Sequence, residues 1–128
     1  MKKLNVITLL LLVICCFSCK KTPFSPEGPT DVRIRNLTGS ALTEVIVRIK
    51  DEEIIFGTIE INNLSQYHRF KTAFSKAYIS AGISPDTIST GPVDFTYMNY
   101  FGQVKLTYDV IVENNSLKIK NVTLDSPL

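Results

Sequence analysis

The strictest constraint on this chain is a period of two near its C-terminus. Val104, Leu106, Tyr108, Val110 and Val112 alternate with Lys105, Thr107, Asp109, Ile111 and Glu113. Successive side chains of a strand point to opposite faces, so this spacing describes one long β-strand and argues against a helix there. Asn114-Asn115 then reads as a two-residue turn, because Asn tolerates the positive φ that such turns require. Leu117 and Ile119 resume the alternation with Lys118 and Lys120. After Asn121 the phase slips, since Val122 and Leu124 are apolar, and a bulge or strand end near Asn121 accounts for that. The chain therefore ends in a long hairpin.

The same period recurs upstream in shorter pieces. Val32 and Ile34 alternate with Arg33 and Arg35, and Val45, Val47 and Ile49 share a face opposite Ile46, Arg48 and Lys50. Residues 54–59, 67–70, 77–81 and 93–95 are further β candidates, the last of them short. Gly39-Ser40, Asp51-Glu52, Asn62-Asn63, Ser84-Pro85-Asp86 and Gly91-Pro92 separate the runs. No helix of three turns is visible, although residues 74–76 could hold one turn. Seven or eight short antiparallel strands with both faces partly apolar predict an all-β, two-sheet sandwich over residues 31–128, with a small barrel as the alternative.

The N-terminus has a different character. Met1-Lys2-Lys3 is a positive n-region, and residues 4–17 are apolar, with the run Leu9-Leu10-Leu11-Leu12-Val13-Ile14. Fourteen residues fall short of the about 20 that a spanning helix needs, so a removable signal peptide over 1–18 is the better reading. Cys16-Phe17-Ser18-Cys19 resembles a lipobox, with Ser18 as the small residue before an obligatory cysteine and Cys16 where Leu is usual. Cys19 is thereby the expected lipidation site. Residues 20–30 contain three Pro and a Gly, which predicts a stiff, extended spacer between lipid and domain.

Processing removes most of what looks reactive or basic. All three cysteines lie at or before position 19, so the mature domain offers no disulfide, thiol nucleophile or cysteine metal site. The full chain has 14 Lys+Arg against 12 Asp+Glu. Losing Lys2 and Lys3 leaves the mature chain neutral, and nothing in it argues for nucleic acid.

Residues 32–39 (Val-Arg-Ile-Arg-Asn-Leu-Thr-Gly), 56–59, 65–67, Phe70, Ala77-Tyr78, Asp94-Phe95 and 106–112, set behind this leader, resemble the small single-domain lipoproteins common in Bacteroidetes. That resemblance implies an Ig-like or transthyretin-like β-sandwich in the cell envelope. It implies no catalytic residues. Asn62-Asn63 stands where a Gly is expected, and Asn can hold the left-handed conformation such a turn needs.

Few residues carry chemistry. His68 is the sole histidine, and the mature domain has no second His or Cys to share a metal or a proton relay with it. No Gly-x-Ser-x-Gly elbow or calcium loop is present, and nothing in the spacing of Asp94 and Glu60 favours a glycosidase pair. No cofactor and no enzymatic activity are expected. The suggestive feature is aromatic: Tyr97, Tyr100 and Phe101 in Phe95-Thr96-Tyr97-Met98-Asn99-Tyr100-Phe101 could contact a protein partner or stack on a glycan. The competing expectation is that Phe95, Tyr97 and Phe101 enter the core at period two. Asp86-Thr87-Ile88 resembles an O-glycosylation acceptor in a loop, with Thr87 modified. Together these features predict a non-enzymatic, lipid-anchored interaction module of the envelope, on the periplasmic face of the outer membrane. Its partner would be an envelope protein or, alternatively, a glycan.

Overall fold

The computed structural model describes residues 25–128; the expected signal peptide and Cys19 lie outside the described residues. Eight strands run in the order β1 (Thr30–Asn36), β2 (Leu42–Ile49), β3 (Glu52–Ile59), β4 (His68–Phe70), β5 (Tyr78–Ile83), β6 (Asp86–Ser89), β7 (Val104–Glu113) and β8 (Ser116–Pro127). No helix occurs among the described residues. They form two four-stranded sheets, β4-β1-β7-β8 and β3-β2-β5-β6. The alternation decides what lies between the sheets. Val32 and Ile34 of β1, Val45, Val47 and Ile49 of β2, Ile79 and Ala81 of β5, and Leu106, Tyr108 and Val110 of β7 are all buried. The apolar faces of the two sheets thus make one core, which is the two-sheet sandwich expected from the sequence.

Turn chemistry fixes the hairpins. Asn114 and Asn115 have φ of 52° and 58°, as a tight hairpin turn needs at both central positions. Asn62 has φ of 62°, so it fills the left-handed position without a glycine. The phase slip in β8 is a bulge: Asp109 pairs with Asn121 and Val110 with Ile119, which leaves Lys120 as the extra residue.

Four local expectations change. The first concerns strand direction, since β1 lies parallel to β7 over six registered pairs, from Asp31↔Lys105 to Asn36↔Val110. The other pairs are antiparallel, so the β4-β1-β7-β8 sheet is mixed. Parallel neighbours cannot be joined by a hairpin, and here they are far apart in sequence, so no local turn announces their direction. This sandwich shares the architecture of Ig-like domains, while its strand order differs from that of immunoglobulin constant domains. The second change is a strand, β6, that follows Pro85 directly and pairs with β5, Thr87 opposite Gly82. Thr87 is exposed on this edge strand, not in a loop. A run of four residues is too short to show alternation. The third change is that residues 93–95 form no strand. Asp94 Oδ1 accepts from Thr96 N at 2.9 Å, and this local turn diverts the chain from a ladder.

The fourth change concerns the spacer. Residues 25–29 are seated on the domain. Gln103 Nε2 donates to Ser25 O at 3.0 Å and to Gly28 O at 3.1 Å, and Gly28 is buried against the Lys71 carbonyl. Thr30 Oγ1 donates to Gly102 O at 2.6 Å. One end of the sandwich therefore gathers residues 25–29, the 71–77 segment, the β2–β3 turn and both roots of the long loop 90–103.

Candidate functional site

The loop at residues 90–103 leaves β6 and returns as β7, and its own residues hold it. Thr90 N donates to Ile79 O at 2.9 Å, while Thr90 Oγ1 accepts from Ile79 N and donates to Ala77 O, both at 3.0 Å. Gly91 then takes φ of 80°, a conformation that side chains disfavour, and the loop departs there. The Phe95 ring lies 5.2 Å from that of Phe74, and Met98 N donates to Phe95 O at 3.2 Å. Phe101 N donates to Ala73 O at 3.0 Å. Phe95, Met98 and Phe101 all pack against the core.

These supports decide between the two readings of the aromatics. The turn at residues 94–98 breaks the period of two. Phe95 and Phe101 go inward as the packing reading has it, and Tyr97 goes outward with 96% of its surface exposed. Tyr100 is 46% exposed. The loop thus presents Tyr97 and Tyr100 to solvent and uses Phe101 as a partly buried support. A freely exposed tyrosine on a buttressed loop leaves apolar surface uncovered in the free protein.

Two grooves flank the start of this loop. One, of about 540 Å³, is lined by Lys76, Thr90, Val93, Asp94, Met98 and Lys118 among others. The other, of about 340 Å³, lies between Arg48, Lys50, Tyr78, Pro92, Val93 and Phe95. Three of their four cations are already engaged, Lys76 being the exception. Lys50 Nζ stands 5.1 Å from the Phe74 ring centre, Arg48 lies over Tyr78 and pairs with Glu53, and Lys118 pairs with Glu113 at 3.2 Å. Hydrogen bonds from the Thr96 hydroxyl and backbone N–H hold the Asp94 carboxyl below the usual carboxylate range. It is therefore an acceptor and a poor general acid. Glu60 follows β3 at the other end of the sandwich, where Asn36 Nδ2 donates to its carbonyl, so Asp94 and Glu60 cannot flank one bond. Among the described residues no group of three or more His, Cys, Asp or Glu is placed to hold a metal ion. His68 lies against the Phe56 ring at 4.2 Å. Thr87 borders a groove at the end opposite the loop's roots, with Thr38, Ser40, Asp86 and Asn115.

One polar constellation was not legible in the sequence. On the outer face of the β4-β1-β7-β8 sheet, Tyr67 donates to Asp125 Oδ2 at 2.7 Å, and Thr107 Oγ1 donates to the same oxygen at 2.7 Å. Arg33 Nε donates to Thr107 Oγ1 at 2.9 Å, and its guanidinium lies 4.6 Å from the Tyr67 ring centre. Asp125 is the extra residue of a second β8 bulge, between the pairs Leu106↔Leu124 and Lys105↔Ser126. That bulge turns the Asp125 carboxylate onto the sheet face. Burial and the neighbouring Asp125 carboxylate push the Tyr67 phenol above its ordinary value. Thr107 and Asp109, polar residues of the outward phase, end up buried in the described structure. Asp109 pairs with Arg35 at 3.6 Å, and its Oδ1 accepts no hydrogen bond among the described residues. The apolar pattern of β8 does not mark this second bulge, because Val122, Leu124 and Leu128 keep one parity across Asp125.

The fold and this geometry define a two-sheet β-sandwich with a supported aromatic loop. No protein-family model matches the chain, and no curated protein matches it. Among solved structures, the NMR structure of a protein from Eubacterium rectale is similar, with a TM-score of 0.50 over 82% of this chain and 96% of that one, at 12% identity. At that identity the likeness shows the fold alone.

Proposed function

We propose that the protein is a non-enzymatic envelope lipoprotein, anchored through Cys19, whose sandwich docks on another envelope protein. The reading also takes in the resemblance to Bacteroidetes lipoproteins and the periplasmic face of the outer membrane. The observation that supports docking is the presentation of large apolar side chains on rigid elements. Ile55 in β3 is 71% exposed and sits beside Ile46, its registered partner in β2, on the outer sheet face. Tyr97 is more exposed still. Rigid apolar groups bind at little entropic cost, which suits contact surfaces. No cofactor or nucleic acid enters this reading.

Cross-linking in intact envelopes, followed by recovery of the full chain, tests it. A reproducible protein partner lost on Ile55→Lys supports docking through the sheet face. Repeated recovery of the chain alone contradicts it. A second reading, glycan binding with Tyr97 and Tyr100 as a stacking platform, draws support from the groove of about 540 Å³ beside the loop, whose lining mixes apolar residues with Lys76, Thr90, Asp94 and Lys118. Glycan-array binding that survives the joint change Tyr97→Ala and Tyr100→Ala removes that platform. Protease shaving of intact cells that removes the domain would move it to the cell surface.

A further inference from the structure

The seat of residues 25–29 changes how far the domain can stand from a lipid anchor. This inference rests on the reading of Cys19 as the lipidated residue. Between Cys19 and Ser25 there are five residues, so the free tether spans at most about 20 Å even when fully extended. It enters the domain beside the root of the aromatic loop, because Ser25 and Gly28 are both bonded by Gln103. Tyr100 is three residues from Gln103, and Tyr97 is six.

We infer that this loop-bearing corner rests on the bilayer, with Tyr97 and Tyr100 in the headgroup region. Tyrosine suits that place, since its ring is apolar and its hydroxyl can stay with water and headgroups. Phe95, Met98 and Phe101 hold the loop from the core side, so Tyr97 and Tyr100 cannot fold back to bury themselves. A short tether raises the effective concentration of the loop at the surface, so two tyrosines suffice where free protein would not bind. Charge plays a minor part. Lys50, Lys71 and Lys76 share this end with Glu27, Asp51, Glu52 and Asp94, and the tether sequence adds Lys20 and Lys21, so the net charge is small and contact is only weakly sensitive to salt. The assignment sends the loop to lipid and leaves the Ile55 face, and Leu37, Ile61 and Leu64 at the opposite end, clear of the bilayer.

The chain contains no tryptophan, which gives a clean reporter. The lipidated mature protein, beginning at Cys19, is reconstituted into phosphatidylethanolamine–phosphatidylglycerol vesicles as Tyr97→Trp, Tyr100→Trp or Ile61→Trp. Ile61 is a partly exposed site beyond the end of β3, at the opposite end of the sandwich. Emission is read with and without brominated acyl chains. The expected result is a blue shift and several-fold stronger quenching at Tyr97 and Tyr100 than at Ile61, unchanged in high salt. Flotation with the vesicles but equal quenching at all three sites overturns the inference and leaves the anchor standing. Failure to float overturns the anchor and the inference together. Shielding of Tyr97→Trp only after addition of glycan or envelope extract assigns the loop to that ligand and also overturns it.

Discussion

Gly28→Ala probes the seat on which the short tether depends. A Cβ at Gly28 would stand 2.0 Å from the Lys71 carbonyl oxygen and 2.9 Å from its carbon. Both are backbone atoms, one residue beyond the fully buried Phe70, so no side-chain rotation relieves the overlap. The turn at residues 25–29 has to leave. It takes with it the two Gln103 bonds to Ser25 and Gly28. At about 0.5–1.5 kcal/mol each, their loss costs about 1–3 kcal/mol. Alanine also stiffens the unfolded chain, which offsets about 0.4–1 kcal/mol. At the middle of these ranges the net destabilisation is about 1.3 kcal/mol, or roughly 5–10 °C in melting temperature for a domain of this size. Circular dichroism melts of residues 20–128, parent against variant, read that shift directly. A variant that melts within about 1 °C of the parent refutes the reasoning, because the turn would then not be held. In vesicles the freed segment lengthens the tether to about ten residues, with a reach of about 35 Å, and shielding of Tyr97 should fall.

Other outcomes follow from the same contacts. Burial pushes the Tyr108 phenol far up, and its hydroxyl donates to the Phe74 carbonyl, so Tyr108→Phe should cost about 1–3 kcal/mol in urea unfolding. The unfolded phenol ionises near pH 10 while the folded one does not, so stability holds below about pH 10 and falls as pH rises beyond it. Tyr67 acts in the same direction, and an alkaline decline unchanged by Tyr108→Phe would contradict the assignment of most of it to Tyr108. Cys19→Ser should leave an uncleaved precursor that takes up no labelled fatty acid; persistent labelling would move the site to Cys15 or Cys16. Thr87→Val should lower the intact mass of the exported protein by a glycan, and an unchanged difference beyond the substitution itself removes that site.

How much of this was legible depends on how local each signal is. The hairpin of β7 and β8 was legible, since alternation and the Asn114-Asn115 turn are properties of adjacent residues. The parallel pairing of β1 with β7 was not, because it is set by core packing between segments far apart in sequence. In β6, four residues are too few for a pattern. Composition picked out the aromatic loop, but only the Asp94–Thr96 turn separates inward Phe95 from outward Tyr97. Thr107 and Asp109 alternate with the core residues of β7, but their burial was not legible; Tyr67 and the arginines of β1 cover them, and period-two patterning cannot see a neighbour that lies across the sheet.

Energy transfer between labelled sites and a headgroup dye bears most directly on the central claim that the protein is tethered by, and turned toward, its loop-bearing end. Donors placed at Tyr100 and at Ile61 in the lipidated mature chain report two heights above the same bilayer. Seven residues of β1 separate the two ends of that sheet, about 20 Å at the rise of a strand. The expected result is strong transfer from Tyr100 and markedly weaker transfer from Ile61. Equal transfer from both, or stronger transfer from Ile61, contradicts it.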